Sequence, residues 1–122
     1  MQKIISIILT LILGFVAIFT ANSATAAPPT HFQTQTVISS GLTGPTGFGI
    51  APDGRIFILE RQGVVKIFKN GSLLPTPFVT LPSQSTGDRG LIGVAFDPNF
   101  LSNKYVYFYY TAADKLNYLV RF

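Results

Sequence analysis

From residue 31 onward the chain alternates short apolar runs with turns rich in Gly, Pro, Asn and Asp. Phe32 to Ser39 carries Thr and Val and predicts a strand. Gly41 to Gly49 follows, with Gly41, Gly44, Gly47, Gly49 and Pro45, too much backbone freedom for a helix interior. Phe48 and Ile50 then resume an apolar alternation. Pro52-Asp53-Gly54 predicts a turn: Pro presets φ, Asp can bond its own backbone, and Gly tolerates positive φ. Arg55 to Glu60 (RIFILE) is a strongly apolar strand, closed by Gln62-Gly63. Val64 to Lys69 is the next strand, and Asn70-Gly71 after it predicts a hairpin with a type I′ turn.

Leu73 to Leu81 is extended but broken by Pro75 and Pro77, which cannot donate to a ladder; it suits an edge strand or a crossing segment. Pro82 to Gly90 is a polar loop and Leu91 to Phe96 a strand. Asp97-Pro98-Asn99 is a turn that leaves Phe100 tucked inward. Tyr105 to Thr111 (YVYFYYT) has very high β propensity and is an aggregation hazard if left uncovered. Asp114-Lys115 turns the chain into Leu116 to Phe122. No helix is expected beyond the N-terminal segment, so the fold class is all-β. A weak repeat accompanies the pattern: Pro52 and Pro98, each opening a turn before an apolar strand, stand 46 positions apart. That is near the ~40–50-residue period of four-stranded propeller blades. Spacing alone leaves a sandwich or an open barrel as alternatives.

The N-terminus changes the picture of where the chain works. Lys3 precedes a nearly continuous apolar run, Ile4 to Phe19, and the small residues Ala24-Thr25-Ala26. Residues 1–26 read as a secretory signal peptide cleaved after Ala26, with a retained membrane anchor as the rival reading. The run is shorter than the ~20 residues that span a bilayer comfortably. A leader, residues 27–36, then leads into a domain of residues 37–122. The chain has no Cys, which excludes disulfides and a thiolate zinc site. The net charge of +4 is dispersed and forms no nucleic-acid stripe.

Candidate chemistry is sparse. Asp88 and Arg89 lie between Gly87 and Gly90, where the backbone can approach a ligand. The Asp88 carboxylate can accept hydrogen bonds from a sugar hydroxyl, and the Arg89 guanidinium can grip an anionic cofactor in a bidentate way. The plain alternative is two solvated turn residues. Glu60 and Arg61 end the strongest strand and either face a channel or cap the sheet. His31 is the one histidine of the chain and has no second His to build a metal or acid–base site. No P-loop, dinucleotide fingerprint or G-x-S-x-G is present. No catalytic residue and no metal ligand is assigned.

Several motifs, in order, resemble one family. Gly41-Leu42, Pro45, Ala51 to Phe57 and Glu60 to Gly63 resemble the opening of the soluble quinoprotein sugar dehydrogenases, also called glucose/sorbosone or aldose sugar dehydrogenases. Gly87 to Phe100 resembles that family's most recognisable early motif, and Tyr105 to Thr111 and Leu119 to Phe122 continue the likeness. The resemblance implies a six-bladed β-propeller, of which this chain holds the first blade and part of the next. It implies export to the periplasm or cell exterior, with no membrane span left after signal cleavage. It implies pyrroloquinoline quinone (PQQ) with calcium, and oxidation of an aldose to a lactone with electrons passed to an external acceptor. Asp88 falls where the family has a Gln or Glu near quinone and substrate, and is one methylene shorter. Arg89 stands where the family has a small or amide residue. The family's catalytic His belongs to a later His-x-x-Gly segment, which His31 does not match. The resemblance therefore implies a chain inactive by itself. A non-catalytic propeller module that binds carbohydrate or protein is the alternative.

Overall fold

The computed structural model describes residues 27–122. The signal-peptide and anchor readings concern residues 1–26 and lie outside the described residues. The chain divides into two units after Gln35. In the described part of the first, the Phe32 amide donates to the Pro29 carbonyl at 3.0 Å, closing a turn in which His31 is exposed with φ 73°.

The second unit, Thr36–Phe122, carries the sheets. β1 (Pro45–Ile50), β2 (Ile56–Glu60) and β3 (Val64–Lys69) pair antiparallel in that order. Two short strands, β4 (Ser72–Leu73) and β5 (Val79–Thr80), pair with opposite ends of β3. A second antiparallel sheet has the order β6 (Leu91–Phe96), β7 (Val106–Thr111), β8 (Asn117–Arg121). The Asn70-Gly71 turn is as the dipeptide predicts: both residues have positive φ, 53° and 81°, as a type I′ turn requires. The aromatic strand Val106–Thr111 is covered on both edges by β6 and β8, which removes the hazard its composition carries.

Two expectations are corrected. No residue of Phe32–Ser39 enters a strand. β propensity needs a partner edge to be realised, and none pairs with this segment. A short helix, α1 (Phe100–Asn103), follows the Asp97-Pro98-Asn99 turn, where the pattern predicts none. It ends at once on Lys104, whose φ of 61° is left-handed and whose amide donates to the Phe100 carbonyl at 2.9 Å. Phe100 itself is buried, as expected.

The repeat is sharper in three dimensions than in sequence. Both hairpins begin with the same irregularity, between Pro45 and Gly47 in β1 and between Leu91 and Gly93 in β6. The Arg61 amide donates to the Gly44 carbonyl at 3.0 Å, and the Thr111 amide to the Gly90 carbonyl at 3.1 Å. Each member of the second set is offset from the first by 46 positions before the turn, and by 50 after it, where α1 is inserted.

The core lies where the two sheets face each other. Gly47, Gly49, Phe57, Leu59, Val65 and Ile67 form one face of β1–β3, by register. Val94, Phe96, Val106, Phe108 and Val120 form the facing side of β6–β8. Phe57 meets Phe96 edge-on at 5.2 Å, and Phe78, from the proline-broken crossing segment, at 5.3 Å. Each fully buried large side chain such as Phe57 or Phe108 contributes about 1.5–3 kcal/mol. Gly49 has no side chain because none fits: a Cβ there would lie 2.9 Å from Val94 Cγ1 and 3.0 Å from Phe96 Cε2.

Candidate functional site

The loop Gly87–Gly90 is held from below and leaves its two polar side chains outside. The Arg61 carbonyl accepts from the Leu91 amide at 3.2 Å and from the Ser83 hydroxyl at 3.2 Å. The Arg61 guanidinium donates through Nη1 to the Gly87 carbonyl at 3.2 Å. Gly90 is pressed against Arg61, since a Cβ would lie 2.8 Å from its Cγ and 2.9 Å from its carbonyl oxygen. The Thr46 hydroxyl bonds the Leu91 carbonyl as well as that of Leu59, tying the first sheet to the start of β6. No local pattern points to this role of Thr46, because the bond spans 45 positions.

Asp88 and Arg89 are both exposed, and among the described residues neither side chain has a hydrogen-bond or ion-pair partner. The repeat gives this loop a counterpart in the first hairpin. Gly41-Leu42-Thr43-Gly44 occupies the position that Gly87-Asp88-Arg89-Gly90 occupies in the second, and all four glycines have positive φ. The first loop is half-buried and apolar at Leu42; the second is polar and open.

Glu60 and Arg61 separate. Glu60 is 3% exposed. Its Oε1 accepts the Thr43 amide at 2.7 Å and pairs with Lys66 Nζ at 2.8 Å, while Lys66 also donates to the Gly41 carbonyl at 2.6 Å. Glu60 therefore fastens the first loop to the sheet, and Arg61 fastens the second. The turn carboxylates are structural too. The Arg55 side chain bonds Asp53 and holds its carboxyl below the ordinary Asp value. Asn103, then the Asn99 amide and Tyr107, lower that of Asp97. The tyrosines of β7 and β8 pack along their strands, Tyr110 stacking on Tyr118 at 5.7 Å.

Among the described residues no group of three or more His, Cys, Asp or Glu could hold a metal. Toward a quinone carrying several carboxylates, this loop offers one unpaired guanidinium, Arg89, and one acceptor, Asp88. An apolar groove of about 380 Å³ lies elsewhere, lined by Val37, Leu42, Phe48, Ile50, Ile56 and Ile58, and includes neither Asp88 nor Arg89.

Residues 42–120 match the family model described as glucose / sorbosone dehydrogenase. The chain belongs to the glucose/sorbosone dehydrogenase family. Its fold resembles an oxidoreductase of Thermus thermophilus, provisionally described as a glucose dehydrogenase, at 35% identity and a TM-score of 0.63. It also resembles the PQQ-bound aldose sugar dehydrogenase of Streptomyces coelicolor, at 31% identity and a TM-score of 0.61. Each likeness covers 71% of this chain and 26% of the other. Among curated relatives, human hedgehog-interacting protein is 36% identical over 83 residues, 61% of this chain and 12% of its own length. An uncharacterized protein of Synechocystis sp. is 32% identical over 83 residues, 61% of this chain and 20% of its own. The matched part spans about a quarter or less of each of these proteins. The two sheets are accordingly a partial β-propeller, with ring closure not observed. Among the described residues no helix is long and apolar enough to cross a membrane.

Proposed function

We propose that this chain supplies the opening blades of a PQQ-dependent aldose dehydrogenase, and that it is inactive without the blades that complete the ring. The complete ring is the six-bladed propeller that the family implies, exported to the periplasm or cell exterior. The observation that carries the reading is the Gly87–Gly90 loop, rigidly seated on Arg61 with Asp88 and Arg89 unpaired and open to solvent. Bound quinone supplies the two-electron acceptor for oxidation of the anomeric carbon to a lactone, with the electrons leaving to an external acceptor. The residues of this chain orient and bind. Arg89 pairs with a quinone carboxylate, and Asp88 accepts a hydrogen bond from a sugar hydroxyl. Calcium and the proton-accepting base are furnished by residues outside 27–122.

Titration of PQQ into the purified chain, followed by the quinone's absorbance, tests the reading. Perturbed absorbance that Arg89→Ala weakens several-fold and Asp88→Ala leaves in place is expected, with no glucose oxidation. Turnover of glucose by this chain alone, with quinone and calcium, would overturn the claim of inactivity. Binding that ignores Arg89→Ala would overturn the site. The likeness to hedgehog-interacting protein supports a second reading, a non-catalytic module that binds protein. In that case the quinone leaves no trace at any concentration.

A further inference from the structure

The Gly87–Gly90 loop is held at its two ends by different parts of one residue. At the exit, the Arg61 carbonyl accepts from the Leu91 amide and the Ser83 hydroxyl, each at 3.2 Å, and Gly90 is pressed against it. At the entry, packing holds nothing. Apart from its chain neighbours, no atom lies within 4 Å of where a Cβ of Gly87 would stand. Among the described residues the hold there is the hydrogen bond from Arg61 Nη1 to the Gly87 carbonyl, at 3.2 Å. Just upstream, the Gln84 side chain accepts from the Thr86 amide and hydroxyl, which shapes the approach without reaching the loop. Asp88 and Arg89 lie between the two ends and have no side-chain partner among the described residues. Their direction depends on Gly87, a glycine at φ 65° that can reach many other conformations at little cost.

The first loop uses the same device with a different residue. Its entry carbonyl, that of Gly41, accepts from Lys66 Nζ at 2.6 Å, and Lys66 is paired in turn with the buried Glu60 at 2.8 Å. A cationic donor on the entry carbonyl thus occurs at both loops, from two unrelated positions. Glu60 neutralises the Lys66 charge, whereas Arg61 has no carboxylate partner among the described residues. We propose that Arg61 is a positioning residue for the ligand-binding loop. Its guanidinium, by holding the Gly87 carbonyl, keeps Asp88 and Arg89 in the orientation that meets the quinone. The ligand half of this rests on the quinone reading above; the hold on the loop does not.

Nitrogen-15 relaxation of the full chain reads the loop directly, and titration with PQQ reads the consequence. Arg61→Met keeps the Cγ that packs on Gly90 and removes the donor, while Arg61→Lys keeps a donor. The Asp88 and Arg89 amides are expected to have order parameters near ~0.85 in the unaltered chain and below about 0.6 in Arg61→Met. Leu91, seated on the Arg61 carbonyl, should stay as it is, and Arg61→Lys should restore most of the order. Quinone affinity should fall about three- to tenfold in Arg61→Met, the worth of one such hydrogen bond, and recover in Arg61→Lys. In an Arg89→Ala background Arg61→Met should cost nothing further, because Arg61 acts through Arg89. Unchanged order parameters in Arg61→Met overturn the proposal whether or not the quinone binds. A loosened loop with unchanged affinity overturns the positioning role. Losses that add in the double variant make Arg61 a direct contact and overturn it as well. A chain that binds no quinone refutes the quinone reading and the ligand half with it, and the order parameters still decide the hold on the loop. Arg61→Gln, too short to reach Gly87, replaces Arg61→Met should that variant fail to fold.

Discussion

Gly90→Ala should be the most damaging single methyl that can be added to the candidate loop. Gly90 has φ 150°, in the range that favours glycine, and a Cβ there would meet Arg61 Cγ at 2.8 Å and the Arg61 carbonyl oxygen at 2.9 Å. The side-chain atom can move. The carbonyl cannot, because it accepts from the Leu91 amide and the Ser83 hydroxyl at the end of β2. Backbone strain at such a φ costs about 1–3 kcal/mol, and forcing a methyl into a filled space costs about 1–3 kcal/mol more. The sum, about 2–6 kcal/mol, is a large part of the 5–15 kcal/mol that a domain usually has. Gly87→Ala is the control. Its φ is 65°, also left-handed, but nothing lies within 4 Å of its Cβ, so only the conformational cost of about 1–2 kcal/mol applies. Urea unfolding followed by far-ultraviolet circular dichroism, at one protein concentration, reads the difference. With a slope of about 1 kcal/mol per molar urea for a chain this short, Gly87→Ala should lower the midpoint by about 1–2 M. Gly90→Ala should lower it further, or leave no folded baseline. If the two variants unfold at the same urea concentration, the close approach of Gly90 to Arg61 is not what that glycine serves, and the loop is not rigidly seated.

Lys66→Met should destabilise the chain by about 3 kcal/mol, because it leaves the buried Glu60 carboxylate with only the Thr43 amide. The double variant with Glu60→Gln should recover part of the loss in the same urea experiment. Asp97 has a carboxyl pKa lowered chiefly by the Asn103 side-chain hydrogen bond, then by the Asn99 amide. A carboxyl depressed in the folded state adds stability above its ordinary pKa and loses it as pH falls through the folded value. Asp97→Asn should therefore lower the melting temperature near neutrality and flatten the acid limb below about pH 4, so that the two profiles approach each other in acid. An unchanged acid limb would refute the role given to Asp97.

How much of this was legible in the sequence follows from how local each signal is. The Asn70-Gly71 turn, the Pro52-Asp53-Gly54 turn and the inward Phe100 depend on neighbours a few positions away, and all three stand as read. Phe32–Ser39 has the composition of a strand but no edge to pair with, and pairing is decided at a distance. The glycines of β1 carry the opposite lesson. Read locally, Gly41 to Gly49 is merely flexible. Read with the second sheet in place, Gly49 is the bare spot on which Val94 and Phe96 lie, and Gly44 is the positional counterpart of Gly90. The repeat is visible at Pro52 and Pro98 but fades after them, because α1 shifts β7 and a longer β7–β8 turn shifts β8 further. Once both insertions are removed, strand pairs with strand and loop with loop. Asp88 and Arg89 then become informative for a reason no motif states. A Gly-x-x-Gly loop precedes each hairpin, and only the second carries an unpaired carboxylate and an unpaired guanidinium where the first has Leu42 and Thr43. Gly44 at φ 58° and Gly90 at φ 150° set the two loops differently, and the second presents to solvent a polar pair that no described group engages, which leaves it available to a ligand.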